Sequence, residues 1–409
     1  MRQPEPVVIT GLGIASPAGN DFASVGTALR EGRSGIRSMP EWQSVDGLSA
    51  LVAGLVENVD LQAAIPRKYR RSMGRVAQLA CFAVGQAIAD AGLPAELVQG
   101  GRVGLAVGST TGSPTATLEY YRNILGPGMR ANKSTAFLQV MSHTCAANCA
   151  LAFGITGRVW GANSACTSGS QSIGLAYETL VAGGQDVMIC GGAEEVHFTT
   201  AGTFNLAGAA SSAYNATPHA TPRPFDLKRD GMVVGEGAGI LVLERLSHAK
   251  ARGAKIYGEI VGFATTCDGE HITSPAEKGM AHAMELALES AGLTVNDVDY
   301  VNAHATGTEL GDSTEARATA RIFGDRVPIS STKGYIGHTL GACGGIESIF
   351  VLAMMQGGFA APTLNLENID PACAGPWHLQ KLLERPVRVA MNNNFAFGGI
   401  NTSLVFKAV

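Results

Sequence analysis

The sequence is poor in charged residues, in aromatic residues and in long apolar runs. Charged residues make up 16% of the 409 positions and aromatic residues 6%, and the formal net charge at pH 7 is -4. Such a chain has no overall attraction for nucleic acid or for an anionic membrane, so an acidic partner needs a local basic patch. The most apolar stretch, SIFVLAMMQGGFAAP from Ser348, is broken by Gln356 and a glycine pair. Because a membrane span needs roughly 18 uninterrupted apolar residues, we expect a buried helix there.

Neither a signal peptide nor a disulfide framework is indicated. The amino-terminal MRQPEPVVITGLGIASPAGN carries Glu5 and two prolines before a short β-branched run, whereas a signal peptide has a basic segment followed by a long apolar core. Eight cysteines without a CxxC zinc pattern are expected to be reduced thiols in a cytoplasmic protein. Cys145 and Cys149 stand four apart with His143 nearby, which suits a metal site, but apolar packing explains the spacing equally well and is preferred.

Apolar residues and glycine are abundant. Hydrophobic residues make up 46% of the chain and 52 residues are glycine, a composition typical of a buried α/β protein. The length suggests one large domain or two fused ones. A weak repeat favours two, because residues 86–112 and 286–308 both predict an Ala/Leu helix, a turn, a strand and a loop of small residues. We place the boundary near residue 255, which gives halves 1–255 and 256–409.

Strand-like runs alternate with helix-like runs through both halves. The strand-like runs are PVVITGLGI, RVGLAVGST, DVMICGG and GILVLERL in the first half, and KIYGEIVGFA, VDYVNAHA and VPISST in the second. This alternation predicts mainly parallel sheets covered by helices. Ligands and catalytic groups collect at the carboxyl ends of parallel strands, so the loops that follow the strands are where a site is expected.

One cysteine and two histidines stand in loops of small residues. Cys166 lies in GANSACTSGSQSIG, His304 in VNAHATGTELGDSTE and His338 in STKGYIGHTLGACGG. Taken singly, each histidine is more often a hydrogen-bonded structural residue, and a lone buried cysteine is usually inert. If the two halves pack as pseudo-symmetric partners, the three side chains converge on one nucleophilic site.

Together these motifs resemble the β-ketoacyl-acyl carrier protein synthases, the elongating type I/II condensing enzymes of the thiolase superfamily. The resemblance rests on NSACTSG, HATGT followed by GDSTE, STKGYIGHTLGACG and NNFAFGGIN, in that order, and spans essentially the whole chain. It implies a five-layer αβαβα thiolase-like fold with two pseudo-symmetric halves. It also implies an acyltransferase without a cofactor of its own, because its acyl and malonyl substrates are carried on the phosphopantetheine of acyl carrier protein.

The chemistry of condensation fits the three residues. A cysteine thiolate can accept an acyl group from a thioester and release it again, and we expect the following helix to lower the pKa of Cys166. Decarboxylation of a malonyl thioester places negative charge on its oxygen, which two neutral imidazoles can stabilise. The resemblance gives that role to His304 and His338, and gives the oxyanion of the condensation step to the amides of Cys166 and Phe397.

The resemblance also implies a buried catalytic lysine. Lys333 is expected to position His338 and to pair with Glu315. A surface lysine is the alternative, but STKG lies between apolar and glycine-rich segments. An unpaired buried ammonium is costly, so a carboxylate partner is expected.

Further roles follow from the resemblance alone. Phe395, Ala396 and Phe397 form the gate of the active site, and Thr306 and Thr308 bind the amides of phosphopantetheine. No metal is required. Some members of the family hold a structural monovalent cation at four positions, which correspond here to Asn302, Glu347, Asn392 and Asn393. Hydrogen-bonded asparagines and a capping glutamate explain these residues equally well.

The chain departs from the family pattern near the acyl pocket. Ala305 and Glu309 stand where the usual motif reads HGTGTP, and Ala396 stands where the usual loop reads FGFGG. Thr110 and Thr111 occupy acyl-pocket positions that are usually glycine or aliphatic. These changes leave open whether the substrate is a saturated fatty acyl chain or a polar or conjugated chain of a polyketide or aryl polyene pathway.

Partner binding is expected at two places. The segment IPRKYRRSMGR contains five basic residues: Arg67, Lys68, Arg70, Arg71 and Arg75. Such a run is usually a solvated helix face, but here we favour a docking site for acyl carrier protein, which is acidic. The resemblance also implies a homodimer, because the STAFLQVMSHTCAANCALA segment is apolar enough to line the partner's pocket, and a heterodimer with a chain-length partner is the alternative. No contact with nucleic acid or a membrane is expected.

Two other functions fit part of the pattern. A non-catalytic chain-length subunit has the same fold but typically lacks the nucleophilic cysteine, whereas Cys166 and both histidines are present here. A cysteine hydrolase also uses cysteine and histidine, but it does not call for two histidine loops, a buried lysine and a phenylalanine gate. A condensing enzyme is therefore favoured.

Overall fold

A computed structural model describes residues 5–409 of the chain. Within that range the strands are β1 Val7–Ala15, β2 Ile36–Ser38, β3 Val52–Gly54, β4 Val103–Gly108, β5 Val159–Trp160, β6 Val187–Glu194, β7 Gly237–Arg245, β8 Gly258–Cys267, β9 Tyr300–Asn302, β10 Pro328–Ser330, β11 Phe359–Ala360, β12 Trp377–His378, β13 Leu383–Glu384, β14 Val389–Ala396 and β15 Ile400–Lys407. The helices are α1 Phe22–Glu31, α2 Leu61–Ala64, α3 Arg67–Arg70, α4 Arg75–Asp90, α5 Ala95–Gln99, α6 Pro114–Leu125, α7 Ala136–Val140, α8 Thr144–Phe153, α9 Ser168–Val181, α10 Phe198–Leu206, α11 Leu246–Ala251, α12 Glu277–Ala291, α13 Glu309–Phe323, α14 Lys333–Ile336 and α15 Cys343–Gly357.

The large sheet repeats one strand order in each half of the chain. Its order is β12-β10-β9-β14-β15-β8-β1-β7-β6-β4-β5, so the first half reads β1-β7-β6-β4-β5 outward and the second reads β8-β15-β14-β9-β10. In both runs the first two pairings are antiparallel and the next two are parallel. The halves meet where β1 pairs antiparallel with β8. The expected pseudo-symmetric α/β fold is thereby confirmed.

The expectation of mainly parallel sheets is wrong for the centre of the molecule. Five of the ten pairings are antiparallel and five are parallel. β14 and β15 are joined by the three-residue turn Phe397–Gly399, in which Gly398 and Gly399 have φ values of 90° and 72°. Such a short turn can join only antiparallel strands. The sequence reading missed both strands, because asparagines are depleted in strands and β14 contains three in succession.

Two helices form the middle layer of the fold. α9 packs against β6 and β4, α15 packs against β7, β6 and β14, and the two helices contact each other, whereas α4 covers β1 and β7 and α12 covers β8 and β15 from outside. The middle helices approach closely at Gly169, where an added Cβ would lie 2.9 Å from the Gly341 carbonyl oxygen. The result is the five-layer arrangement that the resemblance implied.

The apolar segment of the second half lies in this middle layer. By length and composition the helical segment Leu340–Gly357 could cross a membrane, but 89% of it is buried inside the protein. Every residue from Cys343 to Met355 is buried. The expectation of a buried helix is confirmed.

Candidate active site

Cys166 lies in a tight turn at the start of α9. The 3₁₀ turn Ala165–Thr167 begins with Ala165 at a φ of 49° and leads directly into the helix. Its geometry is held by Ser168, whose hydroxyl accepts the Ser164 N–H at 2.9 Å and donates to the Ala165 carbonyl at 2.7 Å. A positive φ is costly for alanine, so these bonds hold the backbone where it presents the cysteine.

The structure brings the two predicted histidines to this cysteine. His338 Nε2 lies 3.0 Å from Cys166 Sγ, and the rings of His304 and His338 are perpendicular with centroids 5.1 Å apart. One sulfur and one nitrogen from each ring all lie within 4.8 Å of one another. All three residues are buried. Side chains from both halves of the chain thus converge on one site, as predicted.

The electrostatics of the thiol differ from the expectation. We expected the helix start to lower the pKa of Cys166, but burial raises it to about 12 despite the opposing influence of Lys333 and of backbone amides. The cost of removing a thiolate from water exceeds the stabilisation by a few amides. Cys166 is therefore a neutral thiol at rest.

Both histidines are neutral for the same reason. Burial, followed by the charge of Lys333, places the pKa values of His304 and His338 well below the ordinary range. The Nδ1 atoms of both rings are buried without a hydrogen-bond partner among residues 5–409. No protein group therefore fixes either ring in one tautomer through Nδ1.

Lys333 is buried as expected, but the predicted partner is wrong. Its Nζ lies 2.5 Å from Glu347 Oε1, with both side chains fully buried. Glu315 instead accepts the backbone N–H groups of His304 at 2.8 Å and Ala305 at 2.6 Å. Burial is the largest influence on Lys333 and lowers its pKa, but Glu347, Cys343 and Glu315 together outweigh burial, so the lysine pKa is raised. Glu315 thus holds the His304 loop, and Glu347 holds the lysine.

The predicted oxyanion amides and gate lie at the cysteine. The backbone amides of Phe397 and of Cys166 itself both face the Cys166 sulfur and oppose the rise in its pKa. Phe397 is 39% exposed and packs 5.9 Å from Phe204, while Phe395 lies 6.2 Å from the His304 ring. The hairpin turn that the parallel-sheet prediction missed is therefore the element that brings Phe397 to the nucleophile.

A cavity of about 580 Å³ opens from these residues to the surface. Its lining includes the three central side chains, the gate, Glu309 and both predicted pantetheine-binding threonines. The hydroxyls of Thr306 and Thr308 lie 3.1 Å apart. Asp312 fixes their loop by accepting the N–H groups of Thr306 and Gly307, and burial raises its pKa to about 6.

Thr110 and Thr111 do not line this cavity. Both face Glu194, a buried carboxylate that accepts the Thr110 N–H at 2.8 Å and lies 3.4 Å from the Thr111 hydroxyl. The same carboxylate accepts the Gly341 N–H at 3.0 Å. Thr111 is exposed on the single chain. The sequence reading missed Glu194, although a charged residue in GGAEE directly after a predicted strand was a signal.

The four residues suggested for a monovalent cation do not form a free oxygen site. Glu347 is bound by Lys333 at 2.5 Å and by Asn394 at 2.7 Å. Asn302 Nδ2 donates to Asn392 Oδ1 at 2.8 Å, and the Asn393 oxygen accepts from Ser403. These contacts fit the hydrogen-bonded alternative. Asn394, which the sequence reading did not single out, links Glu347 to Ser170 of α9.

The five basic residues divide into two groups. Arg67, Lys68 and Arg71 are exposed, and the part of the chain that the structure describes gives none of them a salt bridge. Arg75 forms two hydrogen bonds of 2.6 and 2.7 Å to the buried Glu236, and Arg70 donates to the Ile65 carbonyl. Three cations are thus free for a partner, whereas Arg75 anchors α4.

The cysteine pair at 145 and 149 belongs to the core. Cys149 Sγ lies 3.3 Å from Cys81 Sγ, Cys145 is buried, and His143 is exposed. Apolar packing, the preferred alternative, accounts for this spacing. None of the eight cysteines forms a disulfide.

Comparisons with known proteins agree with this architecture. Residues 4–249 match the family model "Beta-ketoacyl synthase, N-terminal domain" and residues 257–367 match "Beta-ketoacyl synthase, C-terminal domain". The chain is 40% identical to 3-oxoacyl-[acyl-carrier-protein] synthase 1 of Escherichia coli K12, covering 98% of both chains. It also superimposes on a β-ketoacyl synthase from Burkholderia phymatum with a TM-score of 0.96, at 46% identity over 99% of this chain and 100% of the other.

A third similar structure contains a carrier protein. It is a type II polyketide acyl carrier protein in complex with its ketosynthase bound to the hexaketide. The chain matches it with a TM-score of 0.89 and 29% identity, covering 100% of both chains.

Proposed function

The chain belongs to the β-ketoacyl synthase family and is a condensing acyltransferase, and from that premise we propose that Cys166 carries the acyl group while His304 and His338 drive decarboxylation of malonyl-acyl carrier protein. The observation that carries this assignment is the convergence of the three side chains, with His338 Nε2 3.0 Å from the Cys166 sulfur. The product is a β-ketoacyl-acyl carrier protein.

The first half-reaction moves the acyl group onto Cys166. The thioester carbonyl enters the cavity, the sulfur attacks its carbon, and the amides of Cys166 and Phe397 stabilise the oxyanion. The thiol proton leaves with the phosphopantetheine thiolate, so the site gains no net proton. A neutral His338 whose tautomer is not locked can accept that proton and return it.

The second half-reaction uses the histidines as hydrogen-bond donors. When the malonyl thioester loses carbon dioxide, its oxygen becomes an enolate, and N–H groups of two neutral imidazoles stabilise that charge. The enolate carbon then attacks the acyl-Cys166 carbonyl and the Cys166 thiolate departs. Burial keeps both rings neutral, and the charge of Lys333 adds to that effect, because both lower the pKa values of the histidines.

Acyl carrier protein is the proposed partner. The exposed cations Arg67, Lys68 and Arg71 suit an acidic protein, and attraction of this kind mainly accelerates association. Thr306 and Thr308 line the cavity and are the proposed hydrogen-bond partners of the pantetheine amides. No cofactor beyond the carrier's phosphopantetheine is needed for this chemistry, and a cytoplasmic location remains our expectation.

A second copy of the chain is the proposed partner on another face. α6, α7 and β5 contain no buried residue, and β5 lies at the end of the large sheet. Large apolar side chains are exposed along the same part of the chain: Tyr121, Leu125, Met129, Phe137, Leu151, Val159 and Trp160. An apolar patch beside an open sheet edge is a typical subunit contact. Sedimentation should give a homodimer, and a stable monomer at micromolar concentration would contradict this proposal.

A reconstituted assay tests the catalytic proposal. Purified enzyme is given acyl-acyl carrier protein and carboxyl-labelled malonyl-acyl carrier protein, and released carbon dioxide and β-ketoacyl product are both measured. We expect equal amounts of the two. Saturated, polar and aryl-polyenyl chains offered in competition then identify the pathway. Carbon dioxide release without a new carbon-carbon bond would contradict a condensing role.

A further inference from the structure

We infer that Cys166, His304 and His338 form a binding site for a thiophilic divalent cation, with Zn²⁺ as the best fit, and that this ion excludes the acyl group. The inhibition rests on the proposed function, whereas the binding itself does not. The inference begins from the donor set, because one thiol and two imidazoles are the ligands that zinc prefers.

The spacing of the donor atoms suits a zinc ion. Bonds of about 2.0 Å to nitrogen and 2.3 Å to sulfur separate tetrahedral ligands by about 3.3–3.7 Å. The Cys166 sulfur lies 3.0 Å from His338 Nε2, and no two of the three donor atoms are more than 4.8 Å apart. The separations required by a tetrahedral ion therefore lie within the range that the three donor atoms span.

The two rings have lone pairs available for a metal. Neither ring nitrogen of His304 has a side-chain hydrogen-bond partner within residues 5–409, and His338 Nδ1 also has none. Both side chains are more than nine-tenths buried. A metal bound by His304 therefore replaces no side-chain hydrogen bond within residues 5–409, whereas a metal bound by His338 Nε2 replaces the contact with the Cys166 sulfur, which becomes a ligand itself.

The fourth coordination position faces the cavity. Cys166, His304 and His338 all line the space that opens to the surface, so an ion can enter and a water molecule can complete its coordination. Binding converts the Cys166 thiol to a zinc thiolate and releases one proton.

Such a site competes with acylation. An acylated sulfur has no thiolate to offer, and a zinc-bound sulfur cannot attack a thioester. Binding should therefore be abolished when Cys166 is acylated or alkylated, and inhibition should weaken as the acyl-carrier concentration rises. Mg²⁺, which prefers oxygen ligands, should neither bind here nor inhibit.

Direct metal binding tests the inference. Metal-free homogeneous enzyme is titrated with Co²⁺, followed by absorption of the thiolate-to-cobalt charge-transfer band, and with Zn²⁺ by calorimetry. We expect one ion per chain and a proton released on binding. Cys166→Ala should abolish the charge-transfer band, and His304→Ala or His338→Ala should weaken Zn²⁺ binding by at least about 100-fold, since even outer ligands contribute 10–100-fold.

Cys267→Ser is the matched control, because Cys267 is the exposed cysteine that an adventitious ion would meet. It should retain full affinity, and circular dichroism checks that all variants are folded. Equal affinity in Cys166→Ala and wild type, or loss of binding in Cys267→Ser, would overturn the inference. Normal condensation without binding at the triad refutes the metal site alone. Metal binding at the triad in an enzyme that cannot condense refutes the proposed function alone.

Discussion

The two middle helices begin in the same way but have different roles. α9 is preceded by the 3₁₀ turn Ala165–Thr167 and α15 by the 3₁₀ turn Leu340–Ala342. The first residues of the two turns, Ala165 and Leu340, have φ values of 49° and 47°. Neither is glycine, so both turns hold a backbone conformation that costs on the order of 1–2 kcal/mol.

The second residue of each turn makes the difference. In the first turn it is Cys166, whose sulfur faces the cavity and the histidines. In the second it is Gly341, whose N–H donates to the Glu194 carboxylate at 3.0 Å. An added Cβ there would lie 2.6 Å from the Thr110 nitrogen and 2.9 Å from Glu194 Oε2. The start of α9 is therefore open to substrate, whereas the start of α15 is closed by the carboxyl group of Glu194.

The largest effect on activity should come from substituting Cys166 in the open turn before α9. Cys166→Ala removes the acyl acceptor, so we expect no acyl transfer and no condensation. Malonyl decarboxylation should continue, because the histidines and not the sulfur stabilise the enolate. Labelled carbon dioxide release and product analysis measure the two activities separately. Residual condensation in this variant would mean that another residue carries the acyl group.

The buried ion pair should give the next largest effect. Lys333→Met leaves the buried Glu347 carboxyl group without its cation, and removing one partner of a buried pair typically destabilises a protein by about 3–5 kcal/mol. Urea denaturation measures the loss in the free energy of unfolding. The double variant Lys333→Met with Glu347→Leu is the control, and it should recover part of that stability. Equal stability of wild type and Lys333→Met would show that the pair is not ionised.

Substituting His338 should slow the second half-reaction much more than the first. His338→Ala removes an oxyanion donor, and we expect malonyl decarboxylation to fall by about 100-fold or more. Acylation of Cys166 should persist at least in part, because the amides of the turn and of Phe397 are unchanged. Single-turnover acylation and carbon dioxide release give the two rates. Condensation at the normal rate would remove His338 from its assigned role.

A substitution in the closed turn, Leu340–Ala342, should lower stability and leave most of the acylation activity. Gly341→Ala places a methyl group against Thr110 and Glu194, and overpacking of this kind costs about 1–3 kcal/mol. We expect a lower melting temperature, with acylation of Cys166 reduced less than tenfold. Gly202→Ala is the matched control, since nothing lies within 4 Å of its added Cβ. Complete loss of acylation in a folded Gly341→Ala enzyme would contradict the division between the two turns.

The smallest effect concerns acyl selectivity. Thr111 lies beside the closed turn and is exposed on the single chain, next to the surface proposed to bind a second copy. Ala396→Gly removes a methyl group from the cavity wall and frees the backbone there, and we expect a few-fold change in the ratio of saturated to polar chains. Thr111→Val is the control, because Thr111 does not line the cavity and its substitution should leave that ratio unchanged. A changed ratio in Thr111→Val would show that this residue contacts the acyl chain after all.

The sequence was sufficient to predict which residues form the site, but not which groups pair there or how their pKa values shift. Cys166, His304 and His338 were predictable because each lies in a distinctive loop, and the repeat at 86–112 and 286–308 predicted the two halves. The partner of Lys333 was not, because Glu315 and Glu347 are both buried and only the packing of α15 decides which one reaches the ammonium. The Cys166 pKa likewise depends on desolvation, which exists only in the folded protein.

The most direct test of the account is where the acyl group goes and what removes it. Enzyme incubated with acyl-acyl carrier protein is analysed by intact mass and by peptide mapping, before and after malonyl-acyl carrier protein is added. We predict one acyl group per chain, on Cys166, that malonyl-acyl carrier protein discharges in the wild type and not in His338→Ala. An acyl group on another residue, or one on Cys166 that malonyl-acyl carrier protein cannot discharge from the wild type, would contradict the account.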